Sequence, residues 1–551
     1  MRPLGHAISS CLSALLILLT STLAVAGEPT PAAPPAIPSD AELESAGAEF
    51  GEIRVDNQNI FDLDDPKEDT RLFRLANNLH IKTREDVIRN QLLFHSGDRY
   101  SKRLMEESER LLRSARYLYD ASIVPVAYHD GKVDVRVTTR DVWTLNPGIS
   151  FGRHGGANTF GIELEELNLL GTGQSISIAH KSGIDRDENL VEFKGTNLRG
   201  SRVNLQATYA NNSDGLRHEL LVDRPFYSLD THGAGGVALA DDEQTDSLYD
   251  LGHIVDQFQE RRRYTDVYGG ISRGLRDDWA RRLTFGFTYD EREFTALTEP
   301  GATNALPEDR KLAYPWIGFD LVQDNYRKLK NHDEIERTED FFLGTRITGR
   351  LGLSDPAFGA DRSAVVLALT ASHGWSPTEG STLLYGGALS GRYEDGEAQN
   401  AMLDAGVRYY VQQSRRWLFF ATLQGTAGYN LDLDNQILLG GDNGLRGYPL
   451  RYQGGDSRAL LTLEQRYFTD WYPFRLFRVG AAAFIDVGRT WGEAPLNTPS
   501  LGLLKDVGVG LRLGSSRSGL GNIIHIDLAF PLDGDPSISK VQLLVETKER
   551  F

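Results

Sequence analysis

From residue 144 to the end, apolar and polar positions alternate in runs of about 8 to 14 residues, separated by Gly, Asp, Asn and Ser clusters. In "VGVGLRLG" from Val507 to Gly514, the odd positions are Val, Val, Leu and Leu, and the even ones Gly, Gly, Arg and Gly. From Ile524 to Phe530 the even positions are apolar, against His525, Asp527 and Ala529. A period of two predicts strands with one apolar face. Residues 49–143 alone carry helical periodicity. There "TREDVIRNQLLF" predicts a helix with Thr83 as N-cap and a stripe of Val87, Ile88, Gln91 and Leu92. "YSKRLMEESERLLRSARYLYD" predicts a second helix, with Leu104, Leu111, Leu112, Ala115 and Leu118 at three- and four-residue steps. Strands flank them at "EIRV", "SIVPVAYH" and "KVDVRVTTR", the last two joined through Asp130-Gly131, a favoured hairpin pair. Pro125 marks its strand as an edge.

The connections refine the picture. Tight ones ("LLGTGQ", "LRGS", "QSRR") alternate with polar ones ("GIDRDEN", "DDEQTDSLYDLGHIVDQFQE", "EPGATNALPEDR"), as short periplasmic turns alternate with longer external loops in outer-membrane barrels. Long strands in many hairpins favour a closed transmembrane barrel, which leaves no edge unpaired in lipid. Counting hairpins gives about twenty strands, fifteen before residue 438 and five after it, an even total. Four segments result. Residues 1–26 read as a signal peptide, with an apolar Leu12 to Val25 and an Ala24-Val25-Ala26 cleavage site. Residues 27–48, rich in Pro and Ala, read as a linker, followed by the α+β unit at 49–143 and the barrel at 144–551.

Composition then excludes several functions. The single cysteine, Cys11, lies in the signal segment, so buried area or closed hydrogen bonding, rather than disulfides, must hold the rest. A net charge of −18 disfavours nucleic acid or an anionic membrane surface as a partner. No later segment has the roughly 18 apolar residues of a spanning helix. No Gly-x-Ser-x-Gly, His-Glu-x-x-His or Walker-type loop is present, so neither an enzyme, a cofactor nor a metal site is expected. The acidic runs "LDLDN" at 431–435 and "DRDEN" at 185–189 read as solvated loop charge in preference to calcium ligands.

One loop departs from this blandness. "LLGGDNGLRGYPL" at 438–450 presents Arg446 from a glycine-rich turn that neither helix nor regular strand tolerates. Its partners follow from strand phase. In "RVGAAAFIDVGRTW", Val479, Ala481, Ala483, Ile485 and Val487 must face lipid, which turns Asp486 into the lumen. In "RALLTLEQRYF", an outward Ala459, Leu461, Leu463 and Tyr467 puts Thr462, Glu464 and Arg466 inside. A loop folded back into the barrel would bring Arg446 to both carboxylates.

Leu445-Arg446-Gly447-Tyr448 resembles the sixth-loop signature of the outer-membrane assembly-factor superfamily, the group of BamA, TamA and the two-partner-secretion transporters. Phe484-Ile485-Asp486-Val487-Gly488 is similar to its Phe-x-Asp-x-Gly strand motif, and Glu464 sits where the preceding strand carries its acid. The β-α-α-β-β order of residues 49–143, with "GDRYS" opening the second helix, resembles a polypeptide-transport-associated (POTRA) domain. The resemblance implies a barrel whose loop arginine locks to lumenal acids. It implies a periplasmic domain that handles client polypeptides, with outer-membrane lipids and accessory periplasmic proteins as further partners. Its usual barrel has sixteen strands and BamA has five POTRA units, so a single unit here points to a specialised factor. Insertion, assembly or translocation of polypeptides at the outer membrane is the expected function. The alternative is a passive or substrate-specific channel, and an adhesin barrel is a third reading.

Overall fold

The computed structural model describes residues 37–297, 306–492, 501–519 and 523–548; the signal segment, most of the linker, part of "EPGATNALPEDR" and the terminal Phe551 lie outside them. The first unit is α1 (Asp40–Ser45), β1 (Glu49–Gln58), α2 (Arg71–Leu79), α3 (Glu85–Arg89), α4 (Lys102–Arg113), β2 (Leu118–His129) and β3 (Lys132–Asp141). Its sheet has the order β1-β3-β2, with β1 parallel and β2 antiparallel to β3. Asp130 and Gly131, at φ 50° and 76°, make the expected tight turn between β2 and β3. Phe50, Ile88, Leu112, Val133, Val135 and Val137 form its core.

Two expectations are corrected here. The stretch read as linker contains α1, where Ser39 and Glu42 form a capping box and Leu43 is buried in the core. Thr83 does not cap α3. Its N–H donates to Asp141 at 2.7 Å and its hydroxyl accepts from Asn168 at 2.8 Å, tying the unit to the barrel.

The barrel begins with β4 (Leu145–His154), β5 (Ala157–Glu166), β6 (Gln174–Ser182), β7 (Asp187–Gly195), β8 (Asn204–Asn212) and β9 (Gly215–Arg224). Next come β10 (Gly233–Asp250), β11 (His253–Arg276), β12 (Trp279–Ala296) and β13 (Arg310–Gln323). A small hairpin, β14 (Tyr326–Leu329) and β15 (Glu339–Phe342), interrupts the wall before β16 (Thr345–Ser354), β17 (Ala364–Trp375), β18 (Ser381–Glu394), β19 (Glu397–Gln412) and β20 (Trp417–Tyr429). A second small ribbon, β21 (Ile437–Leu439) with β22 (Gln453–Gly455), precedes β23 (Ser457–Phe468), β24 (Phe477–Trp491), β25 (Leu504–Ser515), β26 (Ile523–Pro531) and β27 (Gln542–Lys548).

Without the two small hairpins, twenty antiparallel strands close the barrel, the number counted from hairpins rather than sixteen. Phe151, Ile162, Ile178, Val222, Phe285 and Ile317 stand exposed on the outer face, as lipid contact requires. Polar "DDEQTDSLYDLGHIVDQFQE" is not a loop. It extends β10 and β11 to 18 and 24 residues around a two-residue turn, because wall beyond the bilayer can be polar on both faces. Val479, expected to face lipid, is buried.

The wall is uneven in its pairing. β26 and β27 share seven paired positions, whereas among the described residues β27 meets β4 at one, Val545 opposite Arg153. The chain enters β4 from the α+β unit, which defines a near rim. On that rim the connection 324–344, holding β14 and β15, is far longer than the tight turns expected there.

Closed inter-strand hydrogen bonding should make the protein migrate faster on gels when unboiled than when boiled. Equal mobility, with the protein in the soluble fraction, would contradict the barrel. A fragment of residues 37–143 should fold alone and melt cooperatively. One starting at 49 should lose about 1.5–3 kcal/mol, the worth of burying Leu43; equal stability by urea titration would show that α1 does not contribute.

Candidate functional site

The far-rim connection between β20 and β23 folds into the lumen. Leu445 and Tyr448 are fully buried beside Leu439, Leu460 and Leu504, and the Tyr448 hydroxyl donates to the Lys505 carbonyl at 2.8 Å. This seats Arg446, 5% exposed, against the inner wall. Its Nε and Nη2 donate to both oxygens of Asp486, at 2.7 and 3.0 Å. Nη1 donates to Glu464 at 3.0 Å and to Asp527 at 3.3 Å. The guanidinium carbon lies 3.3 Å from the centre of the Phe484 ring. A bidentate carboxylate pair and an aromatic face together use the planar fork as a lysine could not.

Strand register explains why these groups meet. Glu464 lies opposite Phe484, Thr462 opposite Asp486, Asp486 opposite Asp506, and Gly510 opposite Asp527. Four adjacent strands, β23 to β26, thus contribute one inward carboxylate each. The Thr462 hydroxyl donates to Asp486 at 2.7 Å, and the Gly447 N–H donates to Asp506 at 2.9 Å. A side chain at Gly447 would bring its Cβ to 2.6 Å from that of Asp506. At Gly488 it would stand 2.8 Å from Leu439. Along β24, therefore, Phe484 supports the guanidinium, Asp486 binds it, and Gly488 makes room for the loop.

The site is larger than the three charges read from the sequence. Asp527 and Asp506 were not assigned to it, although Asp527 sits on the polar face of its alternating run. Arg512 pairs with Asp527, and Arg466 donates from Nε to the second oxygen of Glu464 at 3.0 Å. Arg466 also donates to the His332 carbonyl at 2.7 Å and stacks on Phe420. His332 belongs to the near-rim connection, which enters the lumen from the opposite side. There Asp333 accepts from the Tyr410 hydroxyl at 2.9 Å. The same connection reaches the α+β unit. Asp340 accepts twice from Arg113 of α4 at 2.7 Å, Lys328 pairs with Glu109, and Arg337 donates to the Tyr119 carbonyl at 3.1 Å. No periodicity in 324–344 signals this inward course.

The run at 431–435 is turned away from solvent and held by arginines, whereas Asp185, Asp187 and Asn189 of the run at 185–189 are exposed, as expected. Asp432 takes a bidentate pair from Arg392 at 2.6 and 2.7 Å, and Asp434 pairs with Arg310 and Arg292. Asp185 takes a bidentate pair from Arg451 at 2.6 and 2.7 Å. Wall arginines hold Asp432 and Asp434, and the loop's own Arg451 reaches Asp185 in the β6–β7 connection, so both contacts moor the loop. Among the described residues, His525, Asp527 and Glu546 bring potential ligand atoms within 4.8 Å of one another. Both Asp527 oxygens already accept from Arg446 or Arg512, so guanidinium charge stands where a cation would.

The fold and its lumenal network define a transmembrane β-barrel with an internally folded loop, an architecture of the outer membrane. Residues 366–543 match the Omp85 superfamily domain. Among solved structures it is similar to BamA from Haemophilus ducreyi lacking POTRA domains 1–3, at 13% identity and TM-score 0.38, covering 90% of this chain and 84% of that one. It is also similar to CdiB from Acinetobacter baumannii (11% identity, TM-score 0.44, 91% and 73% covered). CdiB from Escherichia coli gives 12% identity, TM-score 0.46, and 91% and 77% covered. No curated protein sequence matches the chain.

Arg446→Ala should impair barrel assembly or function most, since it strands three carboxylates at a typical cost of about 3–5 kcal/mol. Asp486→Asn should follow, because it removes the bidentate partner, and Glu464→Gln should cost less. Arg446→Lys should rescue only partly. Unboiled-gel folding and urea titration check the order; wild-type behaviour of Arg446→Ala would show that the network does not hold the loop.

Proposed function

We propose that this protein inserts, assembles or translocates polypeptides at the outer membrane, with its α+β unit acting as a periplasmic POTRA domain. The observation that carries this reading is that, among the described residues, β27 pairs with β4 at one position. A wall closed by register everywhere else leaves backbone donors and acceptors there for an incoming strand. The α+β sheet offers a second edge nearby. Arg337 and Thr338 occupy the start of β2, at Tyr119 and Asp120, while Val124 is 44% exposed farther along. Client polypeptides would pair at β2 or at the seam, with no covalent chemistry required. Leu445, Arg446, Gly447 and Tyr448, with Glu464, Asp486, Phe484 and Gly488, would fix the loop that braces the wall beside that seam.

A passive channel is the competing reading, and the lumen argues against it. The far-rim loop and the near-rim connection enter from opposite ends and share the Arg446 network. Photocrosslinking residues placed at Val124, Arg153 and Val545 in cells should trap newly exported polypeptides. Absence of adducts at all three, with a steadily open large conductance in planar bilayers, would replace this function by the channel.

A further inference from the structure

The helix α2 has one wide apolar sector, of which the fold covers only part. Phe73 and Ala76 pack with Ile60, Phe61, Trp143 and Leu476. Leu72, Leu75 and Leu79, at three- and four-residue steps, point away and are 66%, 53% and 65% exposed. An unpartnered leucine stripe in water is costly, so its surroundings matter.

Trp143 fixes which side of the wall α2 occupies. Val142, Thr144 and Asn146 are buried, whereas Leu145 is exposed on the outer face. Trp143 is in phase with Leu145, so α2 packs on the outer side of the near rim. The helix is held at both flanks. Ahead of it, Arg517, in the connection after β25, donates to the Ile60 carbonyl and pairs with Glu68. Behind it, the Arg84 N–H donates to the Gly171 carbonyl, between β5 and β6, at 3.0 Å. The strand order β25-β26-β27-β4-β5 places the weakly paired seam between those anchors.

The apolar surface continues along the rim. Leu170, beside Gly171, and Phe474, near Leu476, are 67% and 81% exposed, and both hold positive φ, at 53° and 55°. Side chains rarely adopt that backbone, yet here it displays two large apolar groups outward. Trp471 is exposed as well. The charge pattern agrees. Residues 71–84, "RLFRLANNLHIKTR", contain Arg71, Arg74, Lys82 and Arg84 and no acid, in a chain of net charge −18. Arg74 and Arg84 pair with Asp69 and Asp86, while Arg71 and Lys82 stay exposed.

The geometry points to α2 as an interfacial helix that lies in an anionic phospholipid surface beside the seam. Leu72, Leu75 and Leu79 enter the headgroup boundary, continuous with the lipid-facing barrel wall, and Arg71 and Lys82 meet lipid phosphates. Leu170, Trp471 and Phe474 extend the same contact, as aromatic and apolar side chains do at bilayer edges. The α+β unit is thereby pinned to the membrane plane under the β27–β4 junction, independently of which client it serves.

The test uses the full chain, with Cys11→Ser, reconstituted in phosphatidylethanolamine vesicles with or without phosphatidylglycerol. An environment-sensitive fluorophore is attached at Leu75→Cys, at Leu79→Cys, or at Asp130→Cys on the β2–β3 turn. With phosphatidylglycerol, the first two labels should shift to the blue. Shallow nitroxide lipids should quench them at least about twofold more than the third. Neutral vesicles, or Arg71→Gln with Lys82→Gln, should reduce that difference. Equal quenching at all three positions, with folding verified on unboiled gels, would overturn the lipid contact. Undiminished quenching in neutral vesicles would overturn its selectivity for anionic headgroups.

Discussion

A guanidinium buried among carboxylates has few places to go, and much of this molecule is arranged around that fact. Arg446 cannot be left in the lumen without Asp486, Glu464 and Asp527, nor can those three acids share one patch of inner wall without it. Its seat demands Phe484 beneath, glycine at 447 and 488 for approach, and a loop long enough to descend from the far rim. The moorings of Asp432 and Asp434 to wall arginines, and of the loop's Arg451 to Asp185, hold the rest of that loop. Such a network specifies one loop position more than it adds net stability.

Much of this was legible beforehand because a barrel strand converts phase into direction. Once the apolar face of β24 must meet lipid, Asp486 has to turn inward, and the same logic places Glu464. Asp527 and Arg512 obeyed the rule too, but nothing marked them as neighbours of Arg446 until the register of β24 to β26 was known. Strand number emerged from turns for the same reason. Polar extensions of β10 and β11 misled, since alternation by hydropathy stops where the bilayer does.

The helical unit was less transparent. Ser39-Asp40-Ala41-Glu42 carries a capping-box signature, but the proline-rich stretch before it suggested a tether. The nine residues of α2 carry a helical period over only two and a half turns, and their one wide apolar sector meets the rim along one edge and faces outward along the other. The connection 324–344 is held by ion pairs and carbonyls whose partners lie hundreds of residues away, which no local pattern encodes.

Glu464 has one further consequence. One of its oxygens accepts from Arg446, on the insert from the far rim, and the other from Arg466, which grips the insert from the near rim. A single carboxylate is thus a shared ledge for two segments that approach from opposite compartments. By thermodynamic reciprocity, whatever free energy one insert lends the other through this residue is returned in equal measure. Occupancy on one side of the membrane is thereby made a variable that the other side can read.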